Sequence, residues 1–337
     1  MRYFEGAEAG HICVGQGCSI ALGMNARSAQ IGVCGKRAAM VGLPFATWAS
    51  GSLDSYPVEG LKAFEDRFTV NLITTPRAAF RTCAADEELA TVLERNRLEQ
   101  FDFLPVTESD SNRSSRPSQI IGLIELIPFL ERAVHQNVLV KEHMRPLSED
   151  NLIGADAGIL SFVRDADRQR CRLVVSGRDL SGLVSLSDLQ RLPARAALFT
   201  MVTHLEILMA NFIRHEFAQS RDWLTLLSEG RQRKLRDEID KSQKDDIFID
   251  ELLFTQLADK VTIIGKGAAV ASNKAKFKKD LARVNALRDA LAHANDYAAN
   301  RDDARQVCET VRIMDYWIEQ FGRWLYNRKT DEINTIL

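Results

Sequence analysis

The feature that most constrains the fold is an internal repeat with a period of about 60 residues. The segment "GLIELIPFL" begins at Gly122, and the similar segment "GLVSLSDLQ" begins at Gly182. A repeat of this length is one supersecondary unit present twice, and the two units bury their apolar faces by packing together. The sequence therefore predicts a paired module in the middle of the chain.

Each copy shows the apolar spacing of strands and helices. In the first copy, "FTVNLI", "FDFLPV" and "IIGLIEL" are typical of strands, and "DEELATVLERNRLEQ" has the spacing of an amphipathic helix. In the second copy, "EDNLIGADAGILSFVRDA" supplies the helical part, "CRLVV" and "GLVSL" the strands, and "SDLQRL" the start of a helix. The polar, Ser-rich "TESDSNRSSRPSQ" of the first copy predicts an exposed loop.

Beyond Pro193 the strand pattern gives way to a series of amphipathic helices, interrupted by the strongly charged "SEGRQRKLRDEIDKSQKDD". We therefore expect an α+β protein in three parts. Residues 1–55, rich in Gly, Ala, Ser and Cys, are predicted to be poorly ordered or peripheral. Residues 56–195 form the paired module, and residues 196–337 form an all-helical domain.

Composition and net charge indicate where the protein acts and which classes of protein can be excluded. The chain has 337 residues, 45% of them hydrophobic and 27% charged, and no segment looks like the roughly 20 apolar residues that a membrane-spanning helix needs. The first 30 residues lack a secretory signal, so we expect a cytoplasmic protein. The six cysteines are scattered and are expected to be reduced thiols, with no metal site. A net charge of −2 excludes a globally basic nucleic-acid binder but allows a local basic groove.

Ser185 and Asp188 follow the last strand of the second copy, where a helix is predicted to begin. A hydroxyl and a carboxylate at this position can simply cap the helix. They can also bind a ligand, because a carboxylate accepts hydrogen bonds from both ribose hydroxyls, and a hydroxyl at a helix N-terminus suits a phosphate. The residues alone leave both interpretations open.

Residues from about 64 to 195 resemble a tandem pair of CBS domains, a (β-α-β-β-α) module that binds adenine nucleotides such as AMP or ATP, or related adenosyl ligands. The ligand motif of that family is Gly, two apolar residues, Thr or Ser, two residues and Asp, which Gly182, Ser185 and Asp188 match. The resemblance implies that Asp188 binds ribose and Ser185 the phosphate side. Strand residues 173–175, including Val175, would contact adenine, and Arg172 and Arg178 lie near enough in sequence to meet a phosphate.

The first copy departs from the motif. Glu125 stands where the hydroxyl is expected, and Pro128 stands where the aspartate is expected. We therefore predict at most one well-formed nucleotide site.

The segment "LRDALAHAN" contains the second candidate site. On a helix Asp289 and His293 are i, i+4 neighbours, so the carboxylate can orient the imidazole, and Arg288 can swing toward the same cleft. An imidazole can exchange a proton with a ribose 2′-hydroxyl or a leaving oxygen, and a guanidinium can stabilise a phosphate. These groups suit RNA cleavage without a metal, although an isolated Arg and His on a helix are more often solvated or packed.

Residues from about 196 to 330 resemble a HEPN domain, whose ribonuclease members carry Arg, four to six residues and then His. "RDALAH" fits that form at Arg288, Asp289 and His293. The resemblance implies a homodimer whose two motifs line one cleft, and cleavage through a 2′,3′-cyclic phosphate. It also suggests Glu206 near the cleft, whereas His204 and His215 are expected to be structural. A run of lysines precedes the motif: Lys274, Lys276, Lys278 and Lys279. These side chains either form a solvated helix face or bind the phosphates of an RNA backbone.

Together the two resemblances predict a single-stranded-RNA endoribonuclease regulated by an adenine nucleotide. The plan is similar to CRISPR ancillary ribonucleases and other effectors of antiviral defence or stress. One alternative is a non-catalytic sensor whose helical domain dimerises or docks a partner. Another is the toxin of a pair, silenced by a separate antitoxin. The leading hypothesis and both alternatives are compatible with the same fold.

Overall fold

The computed structural model describes residues 57–109, 119–130, 137–217, 222–242, 250–267, 273–293 and 295–336, with side chains assigned from residue 60 to residue 328. These residues belong to one compact unit, Gly51–Leu337. The architecture is mixed α+β, with its sheets in the first half and helices throughout the second. The predicted peripheral segment at 1–55 and most of the Ser-rich loop lie outside the described residues.

Two sheets carry the two copies of the repeat, and each sheet has four strands within the described residues. The first has the order β2-β3-β4-β5 and the second the order β1-β8-β7-β6. The first sheet consists of β2 Cys83–Ala84, β3 Phe103–Thr107, β4 Ile120–Glu125 and β5 Arg145–Pro146. The second consists of β1 Thr75–Pro76, β6 Leu152–Gly154, β7 Cys171–Ser176 and β8 Asp179–Ser185.

The two copies exchange their short entry strands. Strand β1 precedes the first copy but pairs antiparallel with β8 of the second, and β5 precedes the second copy but pairs with β4 of the first. Gly122 and Gly182, equivalent positions of the repeat, make this exchange sterically feasible. A Cβ on Gly182 would lie 2.4 Å from the Thr75 carbonyl oxygen, and one on Gly122 would lie 2.5 Å from the Arg145 carbonyl oxygen. Each glycine therefore allows the crossing strand to approach closely.

Most of the strand and helix predictions are confirmed. The "DEELATVLERNRLEQ" segment forms α2, Leu89–Glu99, and the four strands predicted at "FDFLPV", "IIGLIEL", "CRLVV" and "GLVSL" are β3, β4, β7 and β8. The strand predicted at "FTVNLI" is wrong, because Val70–Ile73 form a 3-10 helix whose two buried side chains face the core. The helical part of the second copy is only partly correct, since it begins with strand β6 and ends with the short α4, Ile159–Val163.

The rest of the chain is helical. α1 spans Pro57–Glu65 and α3 spans Ile127–Leu130. Beyond the sheets the helices are α5 Leu192–Glu216, α6 Asp222–Thr225, α7 Glu229–Ser242, α8 Leu257–Gly267, α9 Lys274–Ala292 and α10 Arg301–Ile336. Within the charged stretch, α7 buries only Leu235 and Ile239.

Helix α5 corrects one sequence expectation. An 18-residue window within Leu192–Glu216 has a mean hydropathy of 1.5, so by length and composition this helix is apolar enough to cross a membrane. In the structure 67% of that window is buried inside the protein, where the helix contacts α1, α4, α8, α9 and α10. Burial against other helices accounts for its apolar composition.

The apolar core of the second copy is continuous with that of the helical bundle. Phe162 and Val184 belong to the same cluster as Phe212 and Trp317, whereas the first copy has a core of its own. The expected boundary between residues 195 and 196 lies inside α5. At the periphery of this shared core, Arg164 bonds both oxygens of Asp315 at 2.9 and 3.0 Å, fastening the second copy to α10.

Candidate functional site

Ser185 and Asp188 lie close together at the end of β8. The Asp188 carboxylate accepts hydrogen bonds from the Ser185 backbone N–H at 2.7 Å and from its hydroxyl at 3.2 Å. Asp188 is only 5% exposed, and this burial raises the pKa of its carboxyl despite the hydrogen bonds and the ion pair that oppose the shift. The two residues thus cap the 3-10 helix Leu186–Gln190, as one of the two sequence interpretations predicts.

Arg191 completes the surroundings of Asp188. Its Nε lies 2.7 Å from the carboxylate, while its two terminal nitrogens donate to the Thr74 carbonyl at 3.2 Å and to the Thr75 hydroxyl at 2.8 Å. The guanidinium therefore bridges the candidate ribose acceptor and the crossing strand β1. The sequence analysis did not identify Arg191, although its position three residues after Asp188 was a usable signal.

A cavity of about 140 Å³ lies beside Ser185. It is lined by both copies and by the start of α10, with Arg170 and Arg301 as its cations and Asp102 as its acid. Arg170 pairs with Glu125 at 2.9 Å, and Arg301 lies 3.6 Å from Asp102. The cavity is therefore polar, and it touches the sheets and the helical region at once.

Of the other residues predicted for this site, Gly182 and Arg172 lie near Ser185, because Gly182 is three positions before it on β8 and Arg172 pairs with its neighbour Val184. Val175 and Arg178 lie toward the other end of the hairpin. Ser185 pairs with Cys171 at one end of the β7–β8 hairpin, whereas Val175 pairs with Leu180 near the turn. Leu180 and Ser185 are five residue steps apart along β8, or about 17 Å at 3.3 Å per residue. Arg178 lies in the turn itself. Arg172 is bound by Asp165 on the same copy.

Glu125, which replaces the expected hydroxyl in the first copy, is held by two arginines. Its carboxylate lies 3.1 Å from Arg145 and 2.9 Å from Arg170, and its side chain is 9% exposed. The Glu125 carboxylate is therefore already paired with two cations of the protein. Pro128 lies in α3 and offers no side-chain acceptor.

The second candidate site lies at the C-terminal end of α9. His293 is the exposed residue that ends this helix, and Arg288 lies 3.2 Å from the Asp289 carboxylate. Asn285 donates to the other Asp289 oxygen at 3.2 Å. Among the described contacts of Asp289, its side chain bonds Arg288 and Asn285 rather than the His293 ring. The predicted orientation of the imidazole by Asp289 is therefore not present in this conformation.

Glu206 has a structural partner. Lys260 of α8, 5% exposed, lies 2.9 Å from the Glu206 carboxylate and donates to the Thr255 carbonyl at 2.7 Å. His204 on the same helix is 7% exposed, its Nε2 has no hydrogen-bond partner, and burial lowers the pKa of its ring. His215 lies over Trp324, with ring centroids 6.3 Å apart.

The lysine run occupies the opposite end of α9 from His293. The 14 residues from Lys279 to His293 correspond to about 21 Å at 1.5 Å per residue. Lys276 pairs with Asp280 and lies 4.7 Å from the Tyr316 ring centroid. Cations at the N-terminal end of a helix are disfavoured by its dipole, so this run does not stabilise α9.

Arg195 and Tyr297 connect the two candidate sites. Arg195, in the first turn of α5, donates to the carbonyls of Ala290, Leu291 and Asn295 at 3.2, 2.8 and 2.6 Å, and thereby binds the end of α9. Its guanidinium lies 4.8 Å from the Tyr297 ring centroid, and the Tyr297 hydroxyl donates to the Leu189 carbonyl. The sequence analysis identified neither residue, because their partners lie on other elements of the fold.

Comparisons with known proteins give only structural similarity. The chain matches no protein-family model, and no curated protein matches it. Similar solved structures include the CBS domain of the bacterial CNNM/CorC family Mg2+ transporter in complex with ATP, at 17% identity and a TM-score of 0.32 over 40% of this chain and 92% of that one. A hemolysin-like protein containing a CBS domain, from Oenococcus oeni PSU, is similar at 17% identity and 0.31 over 39% and 93%. CBSX2 in complex with AMP is similar at 17% and 0.28 over 39% and 96%.

Proposed function

We propose that this chain is an endoribonuclease regulated by an adenine nucleotide, in which the paired module binds the nucleotide and the end of α9 cleaves RNA without a metal. The observation that carries the proposal is the contact between the two sites. The turn with Ser185 and Asp188 leads directly into α5, and Leu189 and Arg195 bind the segment around His293.

The nucleotide part of the proposal assigns the ribose to Asp188. A buried carboxylate beside a hydroxyl can accept both ribose hydroxyls once the Arg191 guanidinium moves aside. The phosphate end then lies in the neighbouring cavity of about 140 Å³, near Ser185 and Arg170. The Arg170 and Arg301 guanidinium groups and the Ser185 hydroxyl are suited to bind a phosphate rather than an apolar group. Glu125 and its two arginines leave the first copy without a site, so one nucleotide is bound per chain.

The catalytic part assigns proton transfer to His293 and stabilisation of charge on the phosphate to Arg288. His293 is exposed at the end of α9, and a third of the Arg288 side chain reaches solvent, so both are accessible to a polymer. The imidazole removes the proton of a ribose 2′-hydroxyl, whose oxygen attacks the phosphorus to form a 2′,3′-cyclic phosphate. The expelled 5′-oxygen leaves as a hydroxyl after taking a proton from an imidazolium or from water. Asp289 restrains Arg288, and a second protomer supplies the other half of a shared cleft.

The deciding experiment incubates the purified chain with labelled single-stranded RNA in EDTA, with and without AMP or ATP. His293→Ala and Arg288→Ala are expected to reduce cleavage by about 100-fold or more, since general acid–base groups contribute about that much. His215→Ala, an exposed histidine on α5, is the matched control and should cleave like wild type. Cleavage by His293→Ala equal to wild type would reject the catalytic assignment.

A second function is favoured by one observation. The Asp289 carboxylate is engaged by Arg288 and Asn285, so the His293 ring lacks the orienting partner expected of a catalytic imidazole. In this alternative the paired module still senses a nucleotide, and the helical region only dimerises or docks a partner. Nucleotide binding measured by calorimetry, combined with absence of RNA cleavage under every nucleotide tested, would select this alternative.

A further inference from the structure

The contact between the nucleotide-binding turn and the segment after α9 is built from specific side-chain bonds. Tyr297 is 7% exposed and donates its hydroxyl to the carbonyl of Leu189, the residue directly after Asp188. The side-chain amide of Gln190 is oriented with its oxygen toward two backbone donors. This oxygen accepts hydrogen bonds from the N–H groups of Ala298 and Ala299 at 2.9 and 3.3 Å. If residues 186–190, which form the turn, move, they must either displace residues 297–299 or break these hydrogen bonds.

Arg195 extends this contact to the candidate catalytic residues. A helix leaves its last four carbonyls without partners inside the helix. Arg195 satisfies the carbonyls of Ala290 and Leu291, and it also binds the Asn295 carbonyl beyond His293. One guanidinium thus holds the backbone on both sides of His293. The same guanidinium lies 4.8 Å from the Tyr297 ring centroid, so the two residues are in direct contact.

We propose that Arg195 and Tyr297 are positioning residues that transmit nucleotide binding at Asp188 to His293. This inference rests on the proposed nucleotide site but not on RNA cleavage. Displacement of Arg191 by the ribose shifts the turn 186–190 and the start of α5, and Leu189 and Arg195 carry that shift to residues 290–297. A ligand can move an equilibrium only by its differential affinity for the two states, and the Leu189–Tyr297 bond supplies a difference between them.

The test measures hydrogen exchange of the backbone amides from 286 to 299 with and without ATP, by mass spectrometry of the full chain. Wild type is expected to show a change in exchange rate of about fivefold or more at these residues, the lower range of typical coupling between sites. Tyr297→Phe removes only the hydroxyl and keeps the ring beneath Arg195. It should bind ATP with wild-type affinity and lose the ATP-dependent change in exchange.

Two further variants make the result decisive. Arg195→Lys keeps the charge but cannot bind three carbonyls with one fixed fork, so it should also bind ATP and lose the change in exchange. Tyr316→Phe, on the exposed side of α10, is the matched control and should keep it. If RNA is cleaved, the dependence of cleavage on ATP should fall in Tyr297→Phe and Arg195→Lys and stay unchanged in Tyr316→Phe.

The outcomes separate this inference from the proposed function. Bound ATP with no exchange change in wild type, or an unchanged effect in Tyr297→Phe, would overturn the transmission role while the nucleotide site stands. Absence of binding for every adenine nucleotide tested by calorimetry would overturn the nucleotide site and the transmission role together.

Discussion

The Nε of Arg191 lies 2.7 Å from one oxygen of the Asp188 carboxylate. Ser185 holds the other oxygen through its backbone and its hydroxyl. Both carboxylate oxygens are therefore engaged by the protein, and the proposed ribose contact at Asp188 requires a nucleotide to compete with Arg191.

Replacing that cation should improve binding. We expect Arg191→Ala to bind AMP up to about tenfold more tightly than wild type, which corresponds to about 1.4 kcal/mol. Arg97→Ala, an exposed arginine of α2, is the control, and calorimetry with AMP measures both. Weaker binding by Arg191→Ala would show that this side chain contacts the ligand rather than excluding it.

We expect the main role of Glu206 to be stabilisation of the fold rather than catalysis. Removing one partner of a buried ion pair leaves the other charge uncompensated, so Glu206→Ala should lower the free energy of unfolding by roughly 3–5 kcal/mol. The double variant Glu206→Met, Lys260→Met replaces both charges and should recover most of that loss in urea titrations. A stable Glu206→Ala that has lost RNA cleavage would instead favour a direct role in the cleft.

His204 should make stability depend on pH. Burial lowers the pKa of its ring below the ordinary value of 6.5, because the charged form is desolvated inside the protein. The unfolded chain then binds the proton more tightly than the folded one does. The stabilisation is complete above pH 6.5 and is lost as the pH falls through the folded pKa.

Urea unfolding of wild type and His204→Leu between pH 5 and pH 8 tests this expectation. The leucine variant should show a shallower loss of stability on the acid side. His215→Leu, at the exposed end of α5, should keep the wild-type pH dependence. An identical acid-side slope in wild type and His204→Leu would contradict the assignment.

Gly182 should tolerate no side chain. An alanine Cβ would lie 2.3 Å from Thr74 Cγ2 and 2.4 Å from the Thr75 carbonyl oxygen, so strand β1 would have to move. We expect Gly182→Ala to cost about 1–3 kcal/mol in thermal or urea unfolding, as overpacking of a core does. Gly60→Ala is the control, because a Cβ there meets nothing within 4 Å. Equal stability of the two variants would argue against the close crossing of β1 and β8.

Local patterns identified the elements that depend on neighbouring residues. The β7 and β8 strands are short runs rich in apolar residues on either side of a turn at Gly177, and α2 buries Leu89 and Val92 at helical spacing. Such patterns are visible in a short window of sequence. The repeat also identified the end of β8, where Ser185 and Asp188 do lie together. "FTVNLI" misled because a short apolar run has the same composition in a strand and in a buried 3-10 helix.

The amino-acid sequence by itself thus determined the paired module, the helical region and the two short polar motifs. Only the tertiary structure decided what those motifs contact. Strands β1 and β5 are two residues long and exchange between copies, and Arg191 reaches Thr74 across more than a hundred residues. Arg195 and Tyr297 likewise act through partners on other elements. Bonds between distant residues follow from how whole elements pack, and no local spacing of residues encodes them.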